Sequence, residues 1–299
     1  MNVQIRQIHP HFVGEVSGVD LSRPLDRATV AALQDGIDRH AVLVFRAQHL
    51  TDAQQIEFVE HFGVPERYAL SYRNNVKLRL GKPEMVDVSN LDAETGKPQS
   101  GAARHRMVNL GNRMWHTDSS FRLPAGGYSM LYAHAVPPKS PLGNGETEFA
   151  DCRWAYDTLP DAVRGPLEAA EAEHCLMHSR ATIGFSDFTP EERAALPPVR
   201  QPLVRMNPRT GRKALYVASH ASHIIGMEVP EGRLKLAELI EHITRRENVY
   251  RHEWAVGDLV WWDNRATLHR GMAFDEAFAR DLRRVTTQDE TGAARIAAE

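Results

Sequence analysis

Short apolar runs bounded by turn residues recur along this chain, and they constrain its fold more than any other feature. The run at 41–45, Ala-Val-Leu-Val-Phe, predicts a buried strand. Residues 207–211, Asn-Pro-Arg-Thr-Gly, predict a hairpin-type turn between strands at 202–205 and 213–217. The remaining predicted strands lie at 85–88, 128–133, 146–150, 250–254, 258–262 and 282–287. The last three, separated by Gly257 and by a corner at Asp263 and Asn264, predict an antiparallel meander.

Helical patterns lie between these strands. Segments 27–40 and 51–62 have helical periodicity, and the second begins with a Thr51-x-x-Gln54 capping box and stops at Gly63. Segment 231–247 predicts an amphipathic helix on the outside of a sheet. Many short strands with helices outside them predict a mainly β fold with flanking helices, built on a double-stranded β-helix (jelly roll) core.

The size and composition fit one globular domain spanning residues 1–299. The chain is 42% apolar and 25% charged, which is ordinary for a protein with a sizeable core. Two long irregular stretches, 65–112 and 179–201, interrupt the pattern. Because irregular stretches of this length in a compact domain are usually functional, we expect both to be lids over an active site.

Charge and cysteine content exclude several classes of function. A net charge of −3 with scattered Lys and Arg argues against a nucleic-acid partner. Cys152 and Cys175 lack the spacing of a zinc ribbon or a disulfide framework. The first residues lack a secretory pattern, and no stretch approaches the roughly 18 apolar residues of a membrane span. We therefore expect a cytoplasmic protein without a membrane partner, and we expect it to be a homo-oligomer.

A candidate metal site begins with His116 and Asp118, which stand two positions apart. In an extended strand, side chains at i and i+2 leave the same face, so these two can bind one ion while Thr117 points away. The triplet alone is weak evidence, because 15 histidines and 17 aspartates in 299 residues give about one His-x-Asp by chance. His269 offers a third ligand, and Arg280 and Arg284 follow it on one predicted strand.

Two imidazoles and one carboxylate leave adjacent coordination positions open, as non-haem Fe(II) oxygenases require. Zinc accepts the same ligands, but a hydrolytic zinc site needs a general base close by, and no Glu has the right context. We therefore favour Fe(II) over zinc.

The chain resembles the Fe(II)- and 2-oxoglutarate-dependent dioxygenases of the taurine dioxygenase and 2,4-dichlorophenoxyacetate dioxygenase family, and it is more similar to the latter. The resemblance covers nearly the whole chain and includes the Trp-His-Thr-Asp-Ser-Ser-Phe run at 115–121. The other matching segments are 41–46, 110–114, 128–131, 146–149, 219–223, 249–252 and 257–270. Segment 65–106 matches poorly, and segment 138–145 is a few residues longer than its counterpart. We expect both segments to approach the substrate.

The resemblance implies roles for individual residues. His116, Asp118 and His269 match the iron ligands. Arg280 matches the arginine that pairs with the distal carboxylate of 2-oxoglutarate, and Thr147 matches the hydroxyl that assists it. Arg284 matches an arginine that binds the acidic group of the substrate.

Two further residues have open alternatives. Asn112 either contacts substrate or co-substrate or satisfies a loop backbone. His220 either lines the substrate cavity, together with His223, or is a packed, hydrogen-bonded histidine.

The implied reaction consumes O2 and 2-oxoglutarate, yields succinate and CO2, and hydroxylates a small carboxylate. An aryloxyalkanoate fits best, because hydroxylation next to its ether oxygen gives a product that collapses to a phenol and an oxo-acid. Ascorbate is expected to help keep the iron reduced. One alternative is the same chemistry on a sulfonate, an alkyl sulfate or an N-substituted amino acid, and another is a non-catalytic module that binds metal and 2-oxoglutarate.

Overall fold

The computed structural model describes residues 3–67, 79–99 and 104–290, and the fold is mainly β with helices on its outside. Eight of the nine predicted strand segments are present with shifted ends, and the ninth, 202–205, is divided between two strands. The strands of the described part, in chain order, are β1 Gln4–Gln7, β2 Gly14–Ser17, β3 Val42–Phe45, β4 Met85–Ser89, β5 Gly126–Ala135, β6 Thr147–Asp151, β7 Glu171–His174, β8 Val199–Pro202, β9 Val204–Met206, β10 Lys213–Leu215, β11 Ala221–Ile224, β12 Val249–His252, β13 Leu259–Asp263, β14 Thr267–Gly271 and β15 Asp281–Gln288.

The three predicted helices are also present. The first begins at the residue after Asp26, whose side chain accepts a hydrogen bond from the Thr29 amide, and the second has the predicted Thr51 capping box. The helices of the described part are α1 Arg27–His40, α2 Asp52–Glu60, α3 Arg104–Leu110, α4 Cys152–Thr158, α5 Asp161–Leu167, α6 Leu176–Ala181, α7 Pro190–Ala195 and α8 Val229–Ile243, with short 3-10 helices at Gly111–Arg113 and Arg246–Asn248. Among the residues described, no helix is both long and apolar enough to cross a membrane.

A seven-stranded sheet with the order β1-β2-β3-β13-β5-β15-β4 forms the largest layer. Only the β2–β3 pair in this sheet is parallel. Smaller sheets have the orders β12-β6-β14 and β11-β7-β8, and β9 and β10 form the predicted hairpin.

The central strands of the large sheet are buried on both faces, which explains why their sequences are apolar throughout. In β13, Trp261 packs with α1 and α2 side chains such as Phe58, whereas its neighbour Trp262 packs on Phe149 of the small sheet β12-β6-β14. Both tryptophans are fully buried. The two sheets therefore enclose an apolar layer, and α1 and α2 cover the other face of the large sheet.

An apolar cluster lies between the small sheet β12-β6-β14 and α8. Leu268 of β14 and Ala150 of β6 contact it from the sheet, while Leu236, Leu239 and Ile243 of α8 contact it from outside. The predicted helix at 231–247 is therefore confirmed as an amphipathic outer helix, although it begins at Val229 and ends at Ile243.

Four sequence expectations about local structure are wrong. The strands at the C-terminal end do not form a meander: β12 pairs with β6, β13 pairs with β3 and β5, and β15 pairs with β4 and β5. The missed strand β14 pairs with β6 in the small sheet. Consecutive strands alternate between two sheets here, and local sequence does not reveal that alternation.

The other three concern shorter segments. The stretch 202–205 is divided between β8 and β9 at Leu203. His116 forms an isolated bridge rather than a strand, and a turn begins at Asp118. The stretch 179–201 is not irregular throughout, because it contains α7, whose capping box joins Thr189 and Glu192.

Candidate active site

Three side chains able to hold a metal ion meet between the two sheets. His116, Asp118 and His269 each offer a ligand atom, and these atoms lie within 4.8 Å of one another. The Nε2 atoms of the two histidines are 3.9 and 3.7 Å from the carboxylate oxygens of Asp118. Paired backbone hydrogen bonds of 3.0 and 2.8 Å connect His116 to His269 on β14. The sequence prediction that these residues converge is therefore confirmed, although a bridge and a turn place them.

Burial gives both imidazoles the protonation state that a metal needs. It lowers the pKa of His116 to about 4 and that of His269 well below 6.5, although the nearby charge of Asp118 opposes both shifts. A neutral imidazole keeps a lone pair for a metal ion. The Nδ1 atom of His116 lies 2.8 Å from the Met114 carbonyl and donates to it in the tautomer that leaves Nε2 free.

The carboxylate of Asp118 stays ionised because cations and hydroxyl donors surround it. Burial alone raises its pKa, but the charge of Arg284, the two histidines and a hydrogen bond from Ser129 together lower it below 3.8. Arg284 donates to Oδ1, and the Ser129 hydroxyl donates to Oδ2 at 2.7 Å. The backbone amide of Asp118 donates to the side chain of Asn264 at 3.1 Å. The donor set is thus buried, oriented and ready to hold a divalent cation.

A cavity lies next to the two histidines of this site, His116 and His269. Its walls are mostly apolar, including Leu131, Trp262 and Phe274. Of the residues predicted from the sequence, those lining the cavity are Asn112, His116, Thr147, His269, Arg280 and Arg284. The first predicted lid segment contributes Val88, Ser89, Asn90, Arg106, Asn109, Leu110 and Asn112 to the walls.

Arg280 and Thr147, which were predicted to bind a carboxylate, both line the cavity. Arg280 is 8% exposed, and its guanidinium donates to the Gly145 carbonyl at 3.1 and 3.3 Å. Burial, together with the charge of Arg113, lowers its pKa to about 10. The Thr147 hydroxyl accepts a hydrogen bond from Trp254 at 3.0 Å, so its own proton remains for an anion.

At the mouth of the cavity, Glu276 connects two arginines that the sequence analysis missed. It accepts a short hydrogen bond from Arg106 of α3 and a 2.7 Å hydrogen bond from Arg113. All three side chains line the cavity. No spacing pattern predicts this cluster, because it joins a helix before the metal ligands to a loop after them.

His220 lies beside the metal site rather than in the cavity wall. Its ring centroid is 6.1 Å from that of His116, and its Nδ1 atom is 2.9 Å from the Ser179 hydroxyl. His223 is partly exposed and lies beside Ser222 and Glu173. Neither histidine is among the residues that line the described cavity.

The chain matches the sequence profile of the Taurine catabolism dioxygenase TauD, TfdA family over residues 4–286. It is 45% identical to an alpha-ketoglutarate-dependent 2,4-dichlorophenoxyacetate dioxygenase of Cupriavidus pinatubonensis, over 97% of this chain and 99% of that protein. It is 35% identical to an (S)-phenoxypropionate/alpha-ketoglutarate-dioxygenase of Delftia acidovorans, over 87% of this chain and 86% of that protein.

Among solved structures, the chain is similar to AAD-2 in complex with Mn(II) and N-oxalylglycine. The TM-score is 0.87 at 44% sequence identity, and the match covers 96% of this chain and 97% of AAD-2.

Proposed function

This chain belongs to the TauD/TfdA family of dioxygenases, and from that premise we propose that it is an Fe(II)- and 2-oxoglutarate-dependent dioxygenase acting on an aryloxyalkanoate. The observation that carries the proposal is the convergence of His116, Asp118 and His269 beside a cavity that also contains Arg280. The identities to relatives named for phenoxyacetate and phenoxypropionate support the substrate class.

The residues present fit an Fe(II) ion. Two neutral imidazoles and one ionised carboxylate are the facial ligand set of non-haem iron oxygenases. Bound iron would supply the activation of O2 that is coupled to oxidative decarboxylation of 2-oxoglutarate. The chain itself orients the ligands, through the Met114 carbonyl for His116 and through Ser129 for Asp118.

Arg280 and Thr147 would bind the distal carboxylate of 2-oxoglutarate. A planar guanidinium binds a carboxylate through two parallel hydrogen bonds, and the Thr147 hydroxyl would add a third. The apolar wall formed by Leu131, Trp262 and Phe274 would exclude water from the reacting carbon. These residues position the substrate C–H bond. O2 is the oxidant, and it takes two electrons from 2-oxoglutarate and two from the substrate.

The acidic group of the substrate needs a cation, and Arg284 is the residue that the family resemblance assigns to it. Arg284 lines the cavity while also holding Asp118, so it would contact the acid and the metal ligand together. Hydroxylation of the carbon that bears the ether oxygen would give a hemiacetal or hemiketal. Its collapse breaks the carbon–oxygen bond, transfers a proton to the phenoxide and leaves an oxo-acid.

Three expectations from the sequence stay proposals. The seven-stranded sheet and the β12-β6-β14 sheet would be the two sheets of a double-stranded β-helix. Segments 65–112 and 179–201 would close over the cavity, although residues 68–78 and 100–103 lie outside the described part. The cytoplasmic location and the homo-oligomer also remain predictions.

The second candidate substrate class is a sulfate ester. The chain is 30% identical, over 95% of its length, to an alpha-ketoglutarate-dependent sulfate ester dioxygenase of Pseudomonas putida. A buried arginine serves a sulfate as well as a carboxylate, so product analysis has to separate the two classes.

The experiment is to incubate the protein with Fe(II), 2-oxoglutarate and O2 against phenoxyacetates, both 2-phenoxypropionate enantiomers, alkyl sulfates, taurine and N-substituted amino acids. We expect phenol and succinate to form in equal amounts with a phenoxy acid. Sulfate release from an alkyl sulfate without phenol formation would favour the second candidate. If no acid stimulated succinate formation, the proposed function would be wrong.

A matched pair of variants controls this assay. Asp118→Asn removes the ligand charge with little change in shape and should abolish succinate formation. Asp157→Asn makes the same change on the exposed surface of α4, where Asp157 pairs with the partly exposed Arg212, and should leave activity intact.

A further inference from the structure

Three arginines of the described residues are buried: Arg153, Arg180 and Arg280. Arg153 is paired with Asp151 through two hydrogen bonds of 2.9 Å. Within the described part of the chain, Arg180 and Arg280 have no carboxylate partner. Because a buried charge without a counter-ion is strongly unfavourable, each of these two arginines points to an anion other than the described carboxylates.

Among the described residues, Arg180 has no negatively charged partner. Nη1 donates to the neutral Ser179 hydroxyl at 3.2 Å, and Nε is buried without a hydrogen-bond partner among the residues described. Segments 68–78 and 100–103, which the structure does not describe, contain no Asp or Glu in their sequences. These two segments supply no carboxylate to Arg180, and Glu299 lies in 291–299, which the structure also does not describe.

Arg180 is linked to the metal site through Ser179 and His220. Ser179, its hydrogen-bond partner, also contacts Nδ1 of His220 at 2.9 Å, and the His220 ring lies 6.1 Å from that of His116. The guanidinium also packs flat against Gly111, so that a Cβ atom there would be 2.2 Å from Nη1. Gly111 immediately precedes a residue of the cavity wall. Arg180 itself is not among the residues that line the described cavity, and Gly111, which has no side chain, lies between the wall residues Leu110 and Asn112 and against the guanidinium. An acid that reached the guanidinium past Gly111 would lie close to the metal ligands.

The other cations of this region already have partners or an expected ligand. Arg284 pairs with Asp118, the two arginines at the mouth share Glu276, and Arg280 faces the expected carboxylate of 2-oxoglutarate. Burial, together with the charge of Arg284, lowers the pKa of Arg180 to about 10. Two neighbouring cations that repel each other would both be stabilised by an anion between them.

We infer that Arg180 binds the carboxylate of the organic acid substrate and, together with Arg284, sets the preference for acids over neutral aryl ethers. This inference rests on the proposed function and narrows it by naming the subsite of the acid. Arg180 is thus a substrate-binding residue for which neither motif nor spacing provides a signal.

The first test is Arg180→Gln, assayed with the phenoxy acid that the wild-type protein uses best. Loss of a charge-assisted hydrogen bond predicts a KM for that acid about 10- to 100-fold higher. The KM for 2-oxoglutarate should stay within about twofold, because Arg280 is untouched. The preference for the acid over its uncharged primary amide, measured as a ratio of kcat/KM, should fall by a similar factor.

A second variant moves the guanidinium without removing it. Gly111→Ala places a methyl group where Nη1 now lies, and the flexible end of Arg180 has to shift. We expect Gly111→Ala to raise the KM for the acid in the same direction as Arg180→Gln. Arg180→Lys keeps the charge but lacks the planar fork, and should give an intermediate KM.

Arg193→Gln is the control. Arg193 is exposed on α7, and its substitution changes the net charge equally without contact to the cavity. It should leave both KM values unchanged. If Arg180→Gln does not fold, as judged by thermal unfolding, the KM values of Arg180→Lys and Gly111→Ala are used instead.

The outcomes separate the two claims. An active wild-type protein whose Arg180 and Gly111 variants keep the KM for the acid and the acid-to-amide preference would overturn this inference alone. A wild-type protein that turns over no aryloxy acid would overturn the proposed function, and this inference with it. A selective rise in the KM for the acid supports both.

Discussion

The Nε2 atom of His269 lies 3.7 Å from the Oδ2 atom of Asp118, although one residue is on β14 and the other begins a turn far earlier in the chain. Both side chains are almost fully buried. Two buried polar groups at this separation leave room for an ion between their ligand atoms. The relationship depends on the pairing of β14 with β6 and on the backbone bridge between His116 and His269.

Arg280→Gln is predicted to weaken the use of 2-oxoglutarate selectively. The substitution removes the charge that would pair with the distal carboxylate, so the KM for 2-oxoglutarate should rise by about 10- to 100-fold. The measurement is succinate formation at varied 2-oxoglutarate and saturating phenoxy acid. Thr147→Val should give a smaller rise in the same constant. A higher KM for the phenoxy acid with an unchanged KM for 2-oxoglutarate would contradict the assignment of Arg280.

The stability of the protein is predicted to fall in mild acid because of His174. Burial lowers the pKa of this histidine from 6.5 to about 3, with a smaller contribution from the charge of Arg205. Its folded pKa is depressed, so the unfolded chain binds the proton first. The stabilisation is complete above pH 6.5 and is lost as the pH falls below it, by up to about 1.4 kcal/mol per pH unit.

His174→Gln isolates this effect. Between pH 6.5 and 4.5, the free energy of unfolding of the wild-type protein should fall by about 2–3 kcal/mol more than that of the variant. Urea unfolding at several pH values measures the difference. Parallel pH profiles for the two proteins would show that His174 is not the group responsible.

Glu276→Gln is predicted to loosen the mouth of the cavity. The carboxylate joins Arg106 of α3 and Arg113 to the loop after β14, and a neutral amide would lose both ion pairs. Partly exposed ion pairs contribute about 1 kcal/mol, so amide exchange in 104–113 should accelerate roughly fivefold. Exchange in β13 should not change. Unaltered exchange at 104–113 would mean that Glu276 does not hold this segment closed.

Local signals in the sequence predicted many individual elements. The apolar run at 41–45 corresponds to β3, the Thr51 capping box starts α2, and the turn at 207–211 connects β9 and β10. Each of these signals acts within a few residues. They are therefore readable without knowing the rest of the fold.

Features that depend on contacts between distant segments were not predictable in this way. The strand β14, which places His269, was missed because it pairs with β6 rather than with its sequence neighbours. The motif around His116 and Asp118 was recognised by residue type, but its backbone is a bridge and a turn. Arg180 and Glu276 carry no motif, and only their burial and their partners make them visible.

Binding of Mn(II), an oxygen-stable substitute for Fe(II), tests the metal site most directly. Calorimetry under anaerobic conditions should find one Mn(II) per wild-type chain and at least about 100-fold weaker binding for His269→Ala. His61→Ala, which removes an exposed histidine, should bind Mn(II) like the wild-type protein. Wild-type affinity in His269→Ala would contradict the account, because the ion would then be held elsewhere.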